Sequence, residues 1–250
     1  MTTFRTPWLR CFAPHTNPKK RLFAFHHGGG SAVFVKNWHT FLGEDVEVVG
    51  VQLPGRQERM REKPITQVEA LVQPLAQALQ PYTDLPFYLF GHSLGAMVSF
   101  ELARYLCDFT SAQPQALIVS GRHAPQVKSV FPKIARLDDQ AFLEGVKNYD
   151  GLPAEILAHK ELLQLILPSL RADFALSETY FYQPAPPLPH PIAAIGGNAD
   201  RSVPVANLEA WQKQTRGGFS MQLIDGGHFY FEEQPDAFFT ALKQVLDGAS

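Results

Sequence analysis

The chain has 250 residues, 45% of them hydrophobic, and its 22 Lys and Arg nearly balance 24 Asp and Glu for a formal net charge of −2. That length and apolar content suit one large α/β domain spanning 1–250 with a substantial core. So even a charge gives no electrostatic footprint for nucleic acid or an anionic membrane surface, and no apolar run approaches the length of a membrane span.

Chain order begins with Met1 to Arg21, which is broken by Pro7, Pro14 and Pro18 and lacks the continuous apolar run of a signal peptide. Strands are predicted at 22–25, 46–52, 86–91, 116–120, 192–196 and 221–224, and helices at 66–80, 95–106, 207–215 and 236–247. Their alternation implies a mostly parallel sheet with helices on both faces. Between Ser120 and Ile192 the pattern changes. Phe142, Leu143 and Val146 recur at helical spacing, as do Ile156, Leu157, Leu162, Leu163, Leu165, Ile166 and Leu170, and strands resume only after the proline-rich Pro184 to Pro191. The stretch 124–185 is predicted to be a helical lid inserted over the strand ends of the sheet, with Phe142 and Ile166 shaping the preference of the chamber beneath it. Cys11 and Cys107 have no C-x-x-C spacing and suit a reducing compartment, so the cytoplasm is the predicted location.

The chemistry is concentrated at three strand ends. Gly91-His92-Ser93-Leu94-Gly95 joins an aromatic strand to a helix, the setting of a nucleophile elbow that presents Ser93 at the sheet edge with the Leu94 N–H facing the same point. A serine hydroxyl is a weak nucleophile at neutral pH and needs a histidine base oriented by an acid. Asp200 follows the apolar run Ile192 to Ile195, and His228 follows Met221 to Ile224 and a glycine turn. The order Ser, Asp, His is that of an α/β-hydrolase. Asp225 lies too near His228 in sequence to reach behind its ring, and Asp173 and Glu178 fall in the inserted segment.

The second oxyanion donor is assigned to Gly28, with Gly29 as the alternative, in the loop Phe25-His26-His27-Gly28-Gly29-Gly30-Ser31. His92 is read as a packed support, His26 and His27 as shaping the loop, and His15, His39, His123, His159 and His190 as solvated surface. No histidine pair has the spacing of a metal site, and neither metal nor cofactor is predicted.

Several further segments go beyond the elbow: Trp8-Leu9-Arg10, Gly29-Gly30-Ser31-Ala32, Val51-Gln52-Leu53-Pro54-Gly55-Arg56, Leu167 to Phe174 and Gly226-Gly227-His228-Phe229. With Gly91 to Ala96 they make the chain resemble the type II thioesterases of polyketide and nonribosomal peptide assembly lines. The resemblance implies an α/β-hydrolase fold and a free-standing editing enzyme that removes acyl groups from the phosphopantetheine arm of an acyl or peptidyl carrier protein. It assigns Ser93, Asp200 and His228 to the triad and Gly28 with Leu94 to the oxyanion hole. His26-His27-Gly28 stands where the family more often has proline, an aromatic or histidine, and then alanine.

Arg56, Arg59, Arg61 and Lys63 form a local basic cluster that could meet an acidic carrier helix, although such runs are usually solvated surface. An acyl-CoA thioesterase or small-molecule esterase would use the same triad. A non-catalytic binding protein of this fold would have no need to keep all three residues.

Overall fold

A computed structural model describes residues 2–129, 132–147 and 159–248. Its centre is a seven-stranded sheet made of β1 (Leu9–Arg10), β2 (Lys20–Phe25), β3 (Val46–Val51), β4 (Phe87–His92), β5 (Leu117–Ser120), β6 (Ile192–Gly197) and β7 (Phe219–Ile224), in the order β1-β3-β2-β4-β5-β6-β7. All neighbours are parallel except β1, which pairs antiparallel with β3 through Leu9↔Val51 and Arg10↔Gly50. The predicted strands are all present. The additional β1 has only two residues, too few to show an alternation in sequence.

The central strands read as unbroken apolar runs because helices cover both faces of the sheet. Successive residues point to opposite sides, so Phe23, Phe25, Val49 and Val51 join one core and Leu22, Ala24, Val46 and Val48 the other. The first core packs against α2 (Glu69–Leu79) and α3 (Leu94–Phe109) through Leu71, Leu75, Phe100 and Leu102. The second packs against Trp38, which precedes the short α1 (His39–Leu42), and against Phe238, Phe239 and Leu242 of the C-terminal helix, Pro235–Leu246.

Between β5 and β6 the chain forms α4 (Asp139–Lys147) and α5 (Lys160–Thr179). Their shared cluster of Ile134, Phe142, Val146 and Leu170 is separate from both sheet cores. Glu178 joins the preceding loop to α5 by accepting the N–H groups of Ile134 (2.6 Å) and Ala135 (3.0 Å). Ile156 and Leu157, assigned above to the same helical stretch, lie outside the described residues. The helix predicted at 207–215 is instead α6 (Val205–Glu209) followed by a 3-10 turn over Ala210–Gln214. Two more helices close the chain, α7 (Tyr230–Glu233) and α8 (Pro235–Leu246). No helix among the described residues is long and apolar enough to cross a membrane.

The loops leaving the carboxyl ends of β2, β4, β5, β6 and β7 carry His26 to Gly30, Ser93, Gly121, Asp200 and His228 respectively. In a parallel sheet these loops gather at one edge, where such folds place their chemistry.

Candidate active site

Ser93 is the single residue between β4 and α3, held at φ 53° and ψ −111°. A non-glycine residue in this region is strained, and the surrounding structure must enforce it. The flanking glycines show how. A Cβ on Gly91 would stand 2.2 Å from the Gly95 carbonyl oxygen, and a Cβ on Gly95 would stand 2.1 Å from that of Phe25 on β2. Only a backbone without side chains at both places lets the turn close this tightly. Leu94 opens α3, so its N–H has no intrahelical acceptor and lies at the positive end of the helix dipole.

Behind that turn, the loops after β6 and β7 deliver Asp200 and His228. The Nδ1–H of His228 donates to Oδ2 of Asp200 at 2.7 Å, which leaves the ring's Nε2 as the free lone pair. Oδ1 of Asp200 accepts the Ser202 hydroxyl at 2.6 Å and the Ser202 N–H at 2.7 Å. Burial is the largest single influence on this carboxyl and raises its pKa, but the bonds from His228 and Ser202 together outweigh it and hold Asp200 below the usual 3.8. Asp225, the rival acid, instead accepts Asn198 Nδ2 at 2.6 Å. Ser202 was not picked out from the sequence. Its signal is the Asp-x-Ser spacing, which lets a carboxylate accept the N–H two residues on.

The glycine loop after β2 divides its donors unevenly. Gly29 N–H donates to Oδ2 of Asp173 at 2.8 Å, and Gly30 N–H to the His27 carbonyl at 3.0 Å. The Gly28 N–H has no partner among the described residues, and Gly28 lines the same chamber as Ser93, Leu94 and His228. His26 and His27 each turn Nδ1–H onto a loop carbonyl, at 2.7 Å on His27 and 2.9 Å on Gly28. Burial drives His27 down to about 4 and His26 well below 6.5, so both are neutral struts of the loop.

His92 is fully buried, with Nδ1 2.7 Å from Ser120 Oγ, which in turn lies 2.5 Å from the Tyr230 hydroxyl. Its ring lies 4.9 Å from that of His228 and forms part of that ring's seat. Two histidines read as solvated surface are packed instead. His123 lines the chamber and burial lowers it to about 4, while His190 Nε2 is bonded to Gln113 Oε1 at 2.8 Å.

The chamber has a volume of about 690 Å³. One wall carries Ser93, Leu94 and His228. The other comes from 125–129, 132–133 and the C-terminal half of α5 with its exit, including Val127, Lys128, Phe174, Ser177 and Tyr180. Phe142 and Ile166, assigned from sequence to the acyl-chain surface, are not part of that wall, and Phe142 is sealed in the separate α4–α5 cluster. Helical spacing reveals that a residue is buried but not against what.

The basic cluster also divides. Arg61 and Lys63 are exposed, whereas Arg56 and Arg59 are buried. Arg56 makes a two-pronged ion pair with Asp173, both contacts at 2.8 Å, and donates to the Gly30 carbonyl at 2.9 Å. Arg59 donates to the Gln52 carbonyl at 2.8 Å and lies 4.0 Å over the Trp8 ring. Gln52 in turn accepts Ala32 N–H at 2.8 Å and donates to the Arg56 carbonyl at 3.1 Å. Four of the segments that carried the resemblance, those containing Trp8, Gly29 to Ala32, Gln52 to Arg56 and Asp173, thus meet in one network behind the glycine loop.

The thioesterase domain model matches residues 20–246. Linear gramicidin dehydrogenase LgrE of Brevibacillus parabrevis is 40% identical over 228 residues, covering 90% of this chain and 87% of that protein. Gramicidin S biosynthesis protein GrsT of Aneurinibacillus migulanus is 39% identical over 215 residues, covering 86% and 84%. Among solved structures, the type II thioesterase BorB from the borrelidin biosynthetic cluster superposes with a TM-score of 0.89 at 34% identity, covering 97% of this chain and 99% of that one. These likenesses and the parallel sheet establish the α/β-hydrolase fold. The chain belongs to the thioesterase family, as a hydrolase of thioesters in the type II group associated with polyketide and nonribosomal peptide clusters.

Proposed function

We propose that the protein hydrolyses acyl thioesters from the phosphopantetheine arm of a carrier protein, using Ser93 as nucleophile, His228 as base and Asp200 as its orienting acid. The observation that carries this reading is the Asp200–His228 hydrogen bond at the wall of the chamber that also holds the strained Ser93. His228 Nε2 takes the hydroxyl proton as Ser93 Oγ bonds to the thioester carbonyl carbon, and the N–H groups of Leu94 and Gly28 receive the oxyanion. Collapse breaks the C–S bond, with the imidazolium returning its proton to the departing thiolate. Water, deprotonated by the same histidine, then attacks the acyl-serine, and the acid leaves with Ser93 reprotonated.

Residues 124–185 act as the lid of a single domain in this scheme, because described residues of that segment, among them Val127, Phe174 and Tyr180, supply the chamber wall facing the triad. The protein works in the cytoplasm, where Cys11 and Cys107 stay as free thiols. A dinucleotide-dependent reaction, which the name of LgrE suggests for that protein, finds little support in this glycine loop. Gly29 and Gly30 have committed their N–H groups within the protein, which leaves no nest of free donors for a pyrophosphate.

The test is mass-spectrometric deacylation of an acetyl-loaded carrier protein, acetyl-CoA and a simple ester by the native chain and Ser93→Ala. Faster release from the carrier is expected, with a loss of at least about 10³-fold in the variant. Equal or faster turnover of the free substrates would identify a general esterase, and undiminished turnover by Ser93→Ala would overturn the mechanism.

A further inference from the structure

The triad and the two oxyanion donors leave Arg56 and Asp173 without a role, although they come from segments 117 residues apart and are almost wholly buried beside the site. Their contacts are specific. The carboxylate of Asp173 accepts both Arg56 prongs and the Gly29 N–H, all at 2.8 Å, while Arg56 also donates to the Gly30 carbonyl at 2.9 Å. The pair therefore grips a donor of Gly29 and an acceptor of Gly30. Immediately before this grip stands Gly28, where an added Cβ would find the Asp173 Cβ as its nearest neighbour at 3.8 Å.

Three consecutive glycines make a loop with little conformational preference of its own. An oxyanion donor nevertheless acts only when its N–H is held to within a few tenths of an ångström of the developing charge. A buried ion pair is a poor choice for stability alone, since apolar side chains of similar volume usually serve as well. A two-pronged guanidinium–carboxylate pair does supply fixed geometry.

We propose that Arg56 and Asp173 are positioning residues for the oxyanion hole. Asp173 occupies the Gly29 N–H and so leaves Gly28 as the donor that faces the substrate, and Arg56 neutralises a carboxylate that would otherwise repel the oxyanion. Neither residue touches the reacting atoms. The inference rests on the serine mechanism above.

The experiment measures kcat and KM for an acyl-N-acetylcysteamine thioester, normalised to the Ser93 sites that a fluorophosphonate labels, together with the affinity for a boronic acid that forms a tetrahedral adduct on serine. Asp173→Asn is expected to lower kcat by about 10²-fold per labelled site with KM within about threefold, and to weaken the boronic acid by a similar factor. Arg56→Lys keeps the charge but loses the fork, and is expected to lower kcat about tenfold. Loss through misfolding would reduce the number of labelled sites and leave kcat per site unchanged. Normal kcat per labelled site in Asp173→Asn overturns the inference, and if that variant does not fold, normal kcat per site in Arg56→Lys does so. Ser93→Ala runs in parallel: if it is inactive while the other variants are normal, only this inference fails, whereas an active Ser93→Ala removes the mechanism beneath it.

Discussion

As the proposed oxyanion donor, Gly28 works through its backbone, so its side-chain position is open to change. No positive φ is required there, and an added Cβ would meet nothing closer than ordinary van der Waals distance. Gly28→Ala is therefore expected to keep kcat and KM within about twofold of the native values in steady-state assays, and a loss of tenfold or more would show that the donor lies elsewhere in the loop. At this scale the proposed triad stood out in the sequence because Ser93, Asp200 and His228 each close an apolar run at a glycine turn, a local pattern that needs no knowledge of the fold. Ser202, Asp173 and Arg56 escaped for the opposite reason. What each does is set by where a side chain points after folding, and a charged residue such as Arg56 reads as solvated until its partner across 117 residues is known.

The helices between β5 and β6 divide their apolar residues between two tasks. Phe142 packs under the Arg171 guanidinium, whose Cζ is 4.3 Å from the ring centre, and edge-on to Phe174 at 5.4 Å. Phe174 in turn lines the chamber. Removing the Phe142 ring would open a cavity in a small, self-contained cluster, and Phe142→Ala is expected to destabilise the protein by about 3 kcal/mol or more in chemical denaturation while acyl-chain preference holds. Phe174→Ala should instead alter the ratio of kcat/KM between short and long acyl thioesters. If Phe142→Ala changed that ratio as strongly as Phe174→Ala, the division would be wrong. The sequence located these helices by their spacing, yet periodicity could not tell the face turned to substrate from the face turned to a neighbouring helix.

Across the whole molecule, buried and half-buried histidines are expected to set the response to acid above about pH 4. His27 and His123 are lowered to about 4, and His26 and His92 lie well below the ordinary 6.5, with burial the leading cause in each. In the unfolded chain these rings bind protons as pH falls through 6.5, whereas in the folded chain His27 and His123 stay neutral until about 4 and His26 and His92 stay neutral well below 6.5. Acid therefore favours unfolding between 6.5 and about 4, by about 1.4 kcal/mol per pH unit for His27 and for His123, and His26 and His92 act in the same direction. Urea midpoints measured from pH 7.5 down to 5 should fall steeply below 6.5, and His123→Gln should flatten the slope by roughly one proton. A flat profile would mean that these rings are solvated in solution. The parallel sheet itself was plain from sequence, because strands covered on both faces are unbroken apolar runs. The strand β1 was not, since two residues carry no period.

That small strand reaches further than its size suggests. Trp8 gives its carbonyl to the Gln52 N–H at 2.8 Å and its ring to Arg59, and Gln52 passes the contact on to Ala32 and Arg56. Trp8 is thus one end of a relay of contacts whose other end is the glycine loop, so removing it or fusing a rigid tag beside it is expected to act on turnover rather than on the terminus alone.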